Sequence, residues 1–224
     1  MTSDPLLPPI RNMGPYKVAE DIYLSAFVPS DAPEMHRVHN INDSIALGMY
    51  SETVTFPHPL EETQAFIQRL LAQRTECGFV DTWAIRPSAS GPVIGLLYLG
   101  KLDHEEDGLP ICYHPPRSNG SNTGDGDSDD QVMQCGVLGY WLSPDVSGKG
   151  VMTRVVAYAL RQLAGPIFGY ERVHGIAWEE NTSSNRVMER VGMVRASSYH
   201  LYVPKFKETK TCSHFMVDVV KQEE

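Results

Sequence analysis

Between residues 15 and 220, short strand-like apolar runs alternate with stretches whose apolar residues recur at helical spacing. Residues 22–28 read as a first strand. Asp31-Ala32-Pro33-Glu34 has the form of a capping box, with Asp31 as N-cap and Glu34 reaching back, so a helix is expected to start there. A second helix is predicted over 61–74, where Phe66, Ile67, Leu70 and Leu71 share one stripe. Strands at 82–85 and 93–99, separated by a turn rich in Pro, Ser and Gly, are expected to be antiparallel neighbours. A strand at 134–142 leads through Pro144 into the turn Ser147-Gly148-Lys149-Gly150. A helix follows over 149–164, with Met152, Val155, Val156, Ala159, Leu160 and Leu163 on its apolar face and Gly165-Pro166 at its end. A strand at 172–178, a short helix at 184–191 closed by Gly192, and strands at 198–203 and 214–220 complete the pattern. A strand–turn–helix–strand unit among antiparallel strands predicts a mixed α/β sheet. No internal repeat is visible.

Two segments fall outside the pattern. Residues 1–14 are proline-rich and read as a flexible tail, leaving 15–224 as one domain. Residues 103–131 interleave Asp103, Glu105, Glu106, Asp107, Asp125, Asp127, Asp129 and Asp130 with Gly, Ser, Asn and Pro. Such a stretch buries too little apolar surface to offset its ordering entropy, so it is expected to be a mobile acidic insertion between two strands. It is either a solvated loop without a task or a lid or attractor for cationic substrates.

Composition narrows the function. At 224 residues and 42% hydrophobic, the chain has material for one substantial core, and no linker between two cores is evident. A net charge of −9 argues against a general nucleic-acid binder. Cys77, Cys112, Cys135 and Cys212 have neither CxxC nor metal-ligand spacing, which points to reduced intracellular thiols and no metal site. Leu6-Leu7-Pro8-Pro9 is too short and broken for a signal peptide, and no apolar run is long enough to span a bilayer. A soluble, cytoplasmic protein is expected, with a nuclear location open.

The glycine turn carries the chemistry. At a helix N-terminus several backbone N–H groups lack partners and the dipole favours negative charge, a site suited to pyrophosphate. A nucleotide-binding P-loop needs glycine five residues before its Gly-Lys pair and Ser or Thr after the lysine. Ser143 and Gly150 occupy those positions, so that motif fails. The third glycine of a dinucleotide fingerprint is missing too.

Gly139-Tyr140-Trp141-Leu142-Ser143-Pro144, the turn after it, and Asn181-Thr182-Ser183-Ser184-Asn185-Arg186-Val187-Met188-Glu189-Arg190-Val191-Gly192-Met193 together resemble the acetyl-CoA site of the GNAT N-acetyltransferase superfamily. Phe56-Pro57-His58-Pro59-Leu60 and Val93-Ile94-Gly95 are similar to the branch that acetylates ribosomal-protein N-termini in bacteria. The resemblance spans roughly residues 20–220 apart from the acidic insertion. It implies a single-domain α/β GNAT fold, a mixed, mostly antiparallel sheet with splayed central parallel strands flanked by helices. It further implies that the N–H groups of Gly148, Lys149, Gly150, Val151, Met152 and Thr153 bind the CoA pyrophosphate. The backbone at Leu142 would pair with pantetheine and stabilise the oxyanion, Asn181 would lie against the pantetheine arm, and Ser184 would protonate the departing thiolate. Helix capping is the competing role for Asn181 and Ser184.

Several positions depart from the family. Ser147 stands where Gln or Arg is usual, and Met152 where Ala or Gly is common. Val137 replaces a frequent glutamate, and Met188 a tyrosine that acts as general acid in other branches. The missing glutamate matters because a lysine-like amine of pKa about 10.4 is neutral in only about one molecule in 2,500 at pH 7, a cost of about 4.6 kcal/mol. His58 is the first candidate for the base, ahead of Glu179, His174 and Cys135. The expected activity is acetyl-CoA-dependent N-acetylation of a primary amine, on a small molecule or a peptide N-terminus, by direct attack in a ternary complex. The alternative is a non-catalytic acyl-CoA-binding or interaction domain of the same fold.

Overall fold

The computed structural model describes residues 11–49, 54–102 and 133–219. The acidic insertion expected at 103–131 and residues 1–10 of the expected tail lie outside the described residues. Residues 11–13 do not hang free: Arg11 N–H donates to Gly78 O, Met13 O accepts from Ala26 N–H, and Asn12 O accepts from Trp83 Nε1. They are tied to the sheet because the buried indole needs an acceptor there.

Eight strands form one sheet: β1 (Tyr16–Ala19), β2 (Ile22–Ala26), β3 (Thr82–Arg86), β4 (Gly95–Lys101), β5 (Cys135–Leu142), β6 (Arg172–Trp178), β7 (Val194–Val203) and β8 (Glu208–Asp218). Their spatial order is β1-β2-β3-β4-β5-β6-β8-β7, antiparallel throughout except for β5 beside β6. β3 and β4 are antiparallel neighbours, as the short turn between them predicts. Helices α1 (Ala32–His39), α2 (Ser44–Gly48) and α3 (Leu60–Cys77) supply Met35, Val38, Ile45 and Ile67 to a core with Ala84, Leu96 and Trp141. A second core joins α4 (Val151–Tyr158) and α5 (Thr182–Arg190) to Trp83, Ile85, Leu97, Leu99 and Leu138. Alternate residues of β3, β4 and β5 therefore enter opposite cores, as the period-two pleat requires. Every residue of β3 is buried because both faces of the sheet are covered. The helix begun by α4 continues as a π-helical segment, Ala159–Ala164.

The capping box expected at residues 31–34 is replaced by a longer-range contact. Arg86 is buried and donates through Nη1 to Asp31 Oδ1 at 3.0 Å and through Nη2 to Oδ2 at 2.7 Å. Asp31 also accepts from Val28 N–H at 2.9 Å, while Glu34 pairs with Arg37. A buried guanidinium without a carboxylate is costly, so that demand outweighs a local cap. The pair fixes the start of α1 against β3.

Behind the sheet's middle, His39 is buried between Trp141 and His58, each ring centroid 4.7 Å from its own. Burial first, then His58 and His36, pushes His39 down to about 3. An unfolded imidazole takes its proton near pH 6.5, but native His39 stays neutral well below that. Stability is therefore present above about pH 6.5 and falls as pH drops from there toward 3. Between pH 7 and 5 His39 alone is expected to cost about 2 kcal/mol. Urea midpoints at the two pH values should differ less for His39→Leu. An equal fall in variant and wild type would place the acid sensitivity elsewhere.

Candidate functional site

β5 and β6 pair only from Cys135–Leu138 to Arg172–Gly175. Past that point β5 remains paired with β4 and β6 with β8, so the two strands diverge into a V. The facing edges of 139–142 and 176–178 carry backbone groups with no strand partner among the described residues. A cavity of about 1020 Å³ fills this gap, lined by α2, both diverging strands, the glycine turn, α5, and residues of β7 and β8. Leu142 lies on its wall, consistent with a backbone edge offered to an extended amide-bearing ligand.

At one end of the cavity is the turn before α4. A short 3₁₀ segment, Pro144–Val146, redirects the chain after β5, and Ser147 Oγ donates to Ser143 O at 3.0 Å. Gly148 and Gly150 then adopt φ of 76° and 73°, the left-handed region that glycine alone enters freely. A Cβ on either would meet no protein atom within 4 Å, so both face open space. The first bond within α4 runs from Arg154 N–H to Gly150 O at 3.2 Å. The N–H groups of Val151, Met152 and Thr153 occupy the first turn, where an α-helix has no intrahelical acceptors, and Gly150 offers no capping side chain. Such an arrangement can cradle an anion. Gly148, Gly150, Val151, Met152 and Thr153 all line the cavity; Lys149 turns outward, its Nζ donating to Asp145 O at 3.1 Å.

α5 closes the opposite wall. It starts at Thr182, two residues earlier than expected, because Asn181 is the N-cap: its Oδ1 accepts from Ser184 N–H at 3.1 Å. Its Nδ2 lies toward Gly48 of α2, on the cavity wall. One side chain thus caps the helix through oxygen and keeps its amide nitrogen for the cavity. Ser184 is not the cap. Its Oγ lies 2.9 Å from the Tyr140 hydroxyl, which also donates toward Ser184 O at 3.2 Å. Burial pushes the Tyr140 phenol up to about 12 against a smaller lowering by the Ser184 hydrogen bond, so it is protonated at neutral pH. Met188 is buried beneath, admitted by Gly175, where a Cβ would sit 2.7 Å from its sulfur.

The expected base is not brought to this cavity. His58 is buried beside His39, its backbone N–H donating to Asn40 Oδ1 and its carbonyl accepting from Asn40 Nδ2, both at 2.9 Å. Asn40 clamps the residue away from the wall, and burial lowers its pKa. The other three candidates are also elsewhere. His174 is buried and stacked on His214, with ring nitrogens 2.9 Å apart, Cys135 is buried, and Glu179 is paired with Arg195. Val137, in the position where a glutamate is frequent, lines the cavity. Residues that sequence reasoning missed are Tyr140, Trp178, Tyr199 and Cys212, all on the wall. Tyr140 stands in the Gly139–Pro144 motif, but nothing local points to a partner 44 positions later.

Among the described residues no group of three or more His, Cys, Asp or Glu is placed to hold a metal, and no helix is long and apolar enough to cross a membrane.

A family model described as "Acetyltransferase (GNAT) domain" matches residues 21–194. An acetyltransferase of the GNAT family from Bacillus anthracis is 16% identical with a TM-score of 0.64, over 89% of this chain and 96% of its own. The microcin C7 self-immunity acetyltransferase MccE, solved with acetyl-CoA and AMP, is 15% identical with a TM-score of 0.66, over 90% and 94% of the two chains. RimJ of Mycobacterium smegmatis, solved with CoA-disulfide, is 17% identical with a TM-score of 0.61, over 88% and 81%. At such identities the likeness to these structures is one of fold.

Proposed function

Since the chain belongs to the GNAT acetyltransferase domain family, we propose that it transfers the acetyl group of acetyl-CoA to a primary amine held in the cavity between β5 and β6. The observation that carries this reading is the juxtaposition, on one cavity, of the anion cradle before α4, the open backbone edge of β5, and the Asn181 and Ser184 side chains. The pyrophosphate of CoA would sit on the N–H groups of residues 148–153, by the helix N-terminus. Pantetheine would extend along the 139–142 edge past Asn181. The amine nitrogen would attack the thioester carbon directly, with N–H near Leu142 facing the developing oxyanion. Carbon–sulfur cleavage would leave a thiolate, which takes its proton from Ser184, while the nitrogen's surplus proton passes to solvent and solvent restores the serine hydroxyl. The acceptor is a small amine or a peptide N-terminus; other solved structures of this fold include a ribosomal L7/L12 alpha-N-protein acetyltransferase.

Incubation with acetyl-CoA and a panel of amines and N-terminal peptides, followed by thiol release and product mass, tests the proposal. One acetyl group should reach the amine for each CoA freed, and acetyl-CoA alone should leave the protein unacetylated. Val137 favours a second reading, a domain that binds acyl-CoA without turnover. Acetyl-CoA binding by calorimetry, with no thiol release against any acceptor, would support that reading instead.

A further inference from the structure

The geometry points to an acceptor that is uncharged when it enters and is carried on an apolar or aromatic body. This inference rests on the amine-transfer reading and narrows it. Away from the anion cradle, the cavity runs between α2 and the β7–β8 hairpin. Lys205 in that hairpin donates from Nζ to Ala46 O at 2.9 Å and to Met49 O, so hairpin and helix meet and wall this end. Its lining includes Ile45, Met49, Trp178, Tyr199 and Leu201, with Tyr98 on β4. Trp178 and Cys212 are buried in a cluster of their own with Val203, against which Ile176, Tyr199, Leu201 and Phe206 pack. That is a lining for an apolar group, with Tyr98, Trp178 and Tyr199 as its aromatic members.

Charge decides the form of the amine. Among the described residues lining the cavity there is no Asp, Glu, His or Lys, and the charged side chains are Arg186 and Arg190, both on α5. The remaining titratable groups facing it are the phenols of Tyr98 on β4, Tyr140 on β5 and Tyr199 on β7, and the thiol of Cys212 on β8. Burial pushes Tyr140 up to about 12 and raises Cys212, so both hold their protons at neutral pH and neither is a base. A cavity whose described residues carry only cationic fixed charges suits the phosphates of a cofactor and opposes an ammonium. Burying an ammonium without a counter-ion is expensive, whereas a neutral amine loses only its hydrogen bonds to water. The acceptor therefore gives up its proton to water before entry. Its lone pair then forms the carbon–nitrogen bond, the carbon–sulfur bond breaks, and the attacking nitrogen releases one proton to solvent as the thiolate takes one. An amine with an electron-withdrawing neighbour, such as an α-amino amide, meets this requirement far better than an alkylamine. At pH 7 an α-amine of pKa about 8 is neutral in about one molecule in eleven, against about one in 2,500 for a lysine-like amine.

Initial thiol-release rates of the full chain with four acceptors test this: phenylalaninamide, 2-phenylethylamine, glycinamide and spermidine. At pH 7, kcat/KM for phenylalaninamide should exceed that for 2-phenylethylamine by on the order of 200-fold, the ratio of neutral fractions. For 2-phenylethylamine it should climb about tenfold per pH unit from 7 to 9, tracking the free base. Glycinamide, without the ring, should be at least tenfold poorer than phenylalaninamide, and spermidine inert. Spermidine turnover matching phenylalaninamide, a level pH profile, or glycinamide equal to phenylalaninamide would overturn the inference while leaving amine transfer intact. No transfer to any of the four or to N-terminal peptides, with acetyl-CoA bound in calorimetry, would instead remove the amine-transfer reading beneath it.

Discussion

Gly150→Val is expected to weaken acetyl-CoA binding by at least about 100-fold, a cost of roughly 2.7 kcal/mol. Two effects combine. Valine at φ of 73° is a steric outlier, because a β-branched side chain clashes with its own backbone there. The peptide units around it must rotate, and the N–H groups of Val151, Met152 and Thr153 no longer converge on one point. If the backbone holds instead, the new side chain enters the space in which a Cβ meets no protein atom within 4 Å. That is the space assigned to the pyrophosphate. The fold should survive, since the turn lies at the surface of the cavity and the core face of α4 is unchanged. Calorimetric titration with acetyl-CoA, beside circular dichroism of the variant, measures both. Unchanged affinity in a folded variant would mean that the phosphates bind elsewhere. Gly150→Ala should fall between the two, because its single methyl intrudes less.

The cradle was legible in the sequence because everything that makes it is local. A strand ending at Pro144, two glycines two residues apart and an apolar face at helical spacing imply their geometry without reference to the rest of the chain. The splayed pair followed from the family resemblance and is present as β5 and β6. What escaped depends on distant partners. Asp31 and Glu34 satisfy a capping pattern, but Arg86, 55 positions away, claims the aspartate. His58, the expected base, lies between two prolines, yet the Asn40 side chain holds its backbone from both sides and the residue is buried. The start of β7 gave no alternation because residues 194–198 are all exposed, Val194 among them at 65%. β1 and the five-residue α2 are too short for periodicity to distinguish, although α2 forms one wall of the cavity.

The contact between Tyr140 and Ser184 yields the second large effect. Ser184→Ala is expected to lower kcat at pH 7 by up to about thirtyfold while changing acetyl-CoA affinity little, the pattern of a group used mainly in the transition state. The ceiling follows from the leaving group. A thiol with a cysteine-like pKa of about 8.5 lies about 1.5 units above neutral pH, so a proton delivered to its thiolate is worth about 2 kcal/mol there. The same reasoning makes the deficit shrink as pH rises past 8.5, where the thiolate departs without a proton. The helix cap is not at stake, because Asn181 supplies it and the Ser184→Ala variant keeps the backbone N–H that donates to Asn181 Oδ1. If Ser184 delivers that proton, Tyr140 is its positioning residue. Its hydroxyl lies 2.9 Å from Ser184 Oγ and 3.2 Å from Ser184 O, which fixes where the serine hydroxyl sits on the cavity wall. Tyr140→Phe should therefore lower kcat by about tenfold alone and add almost nothing in the Ser184→Ala background, the non-additivity of two groups in one network. The kcat–pH profiles of the wild type, the two single variants and the double variant measure this. A Ser184→Ala deficit that stays constant from pH 6 to 9.5, or fully additive single effects, would assign both residues to packing alone.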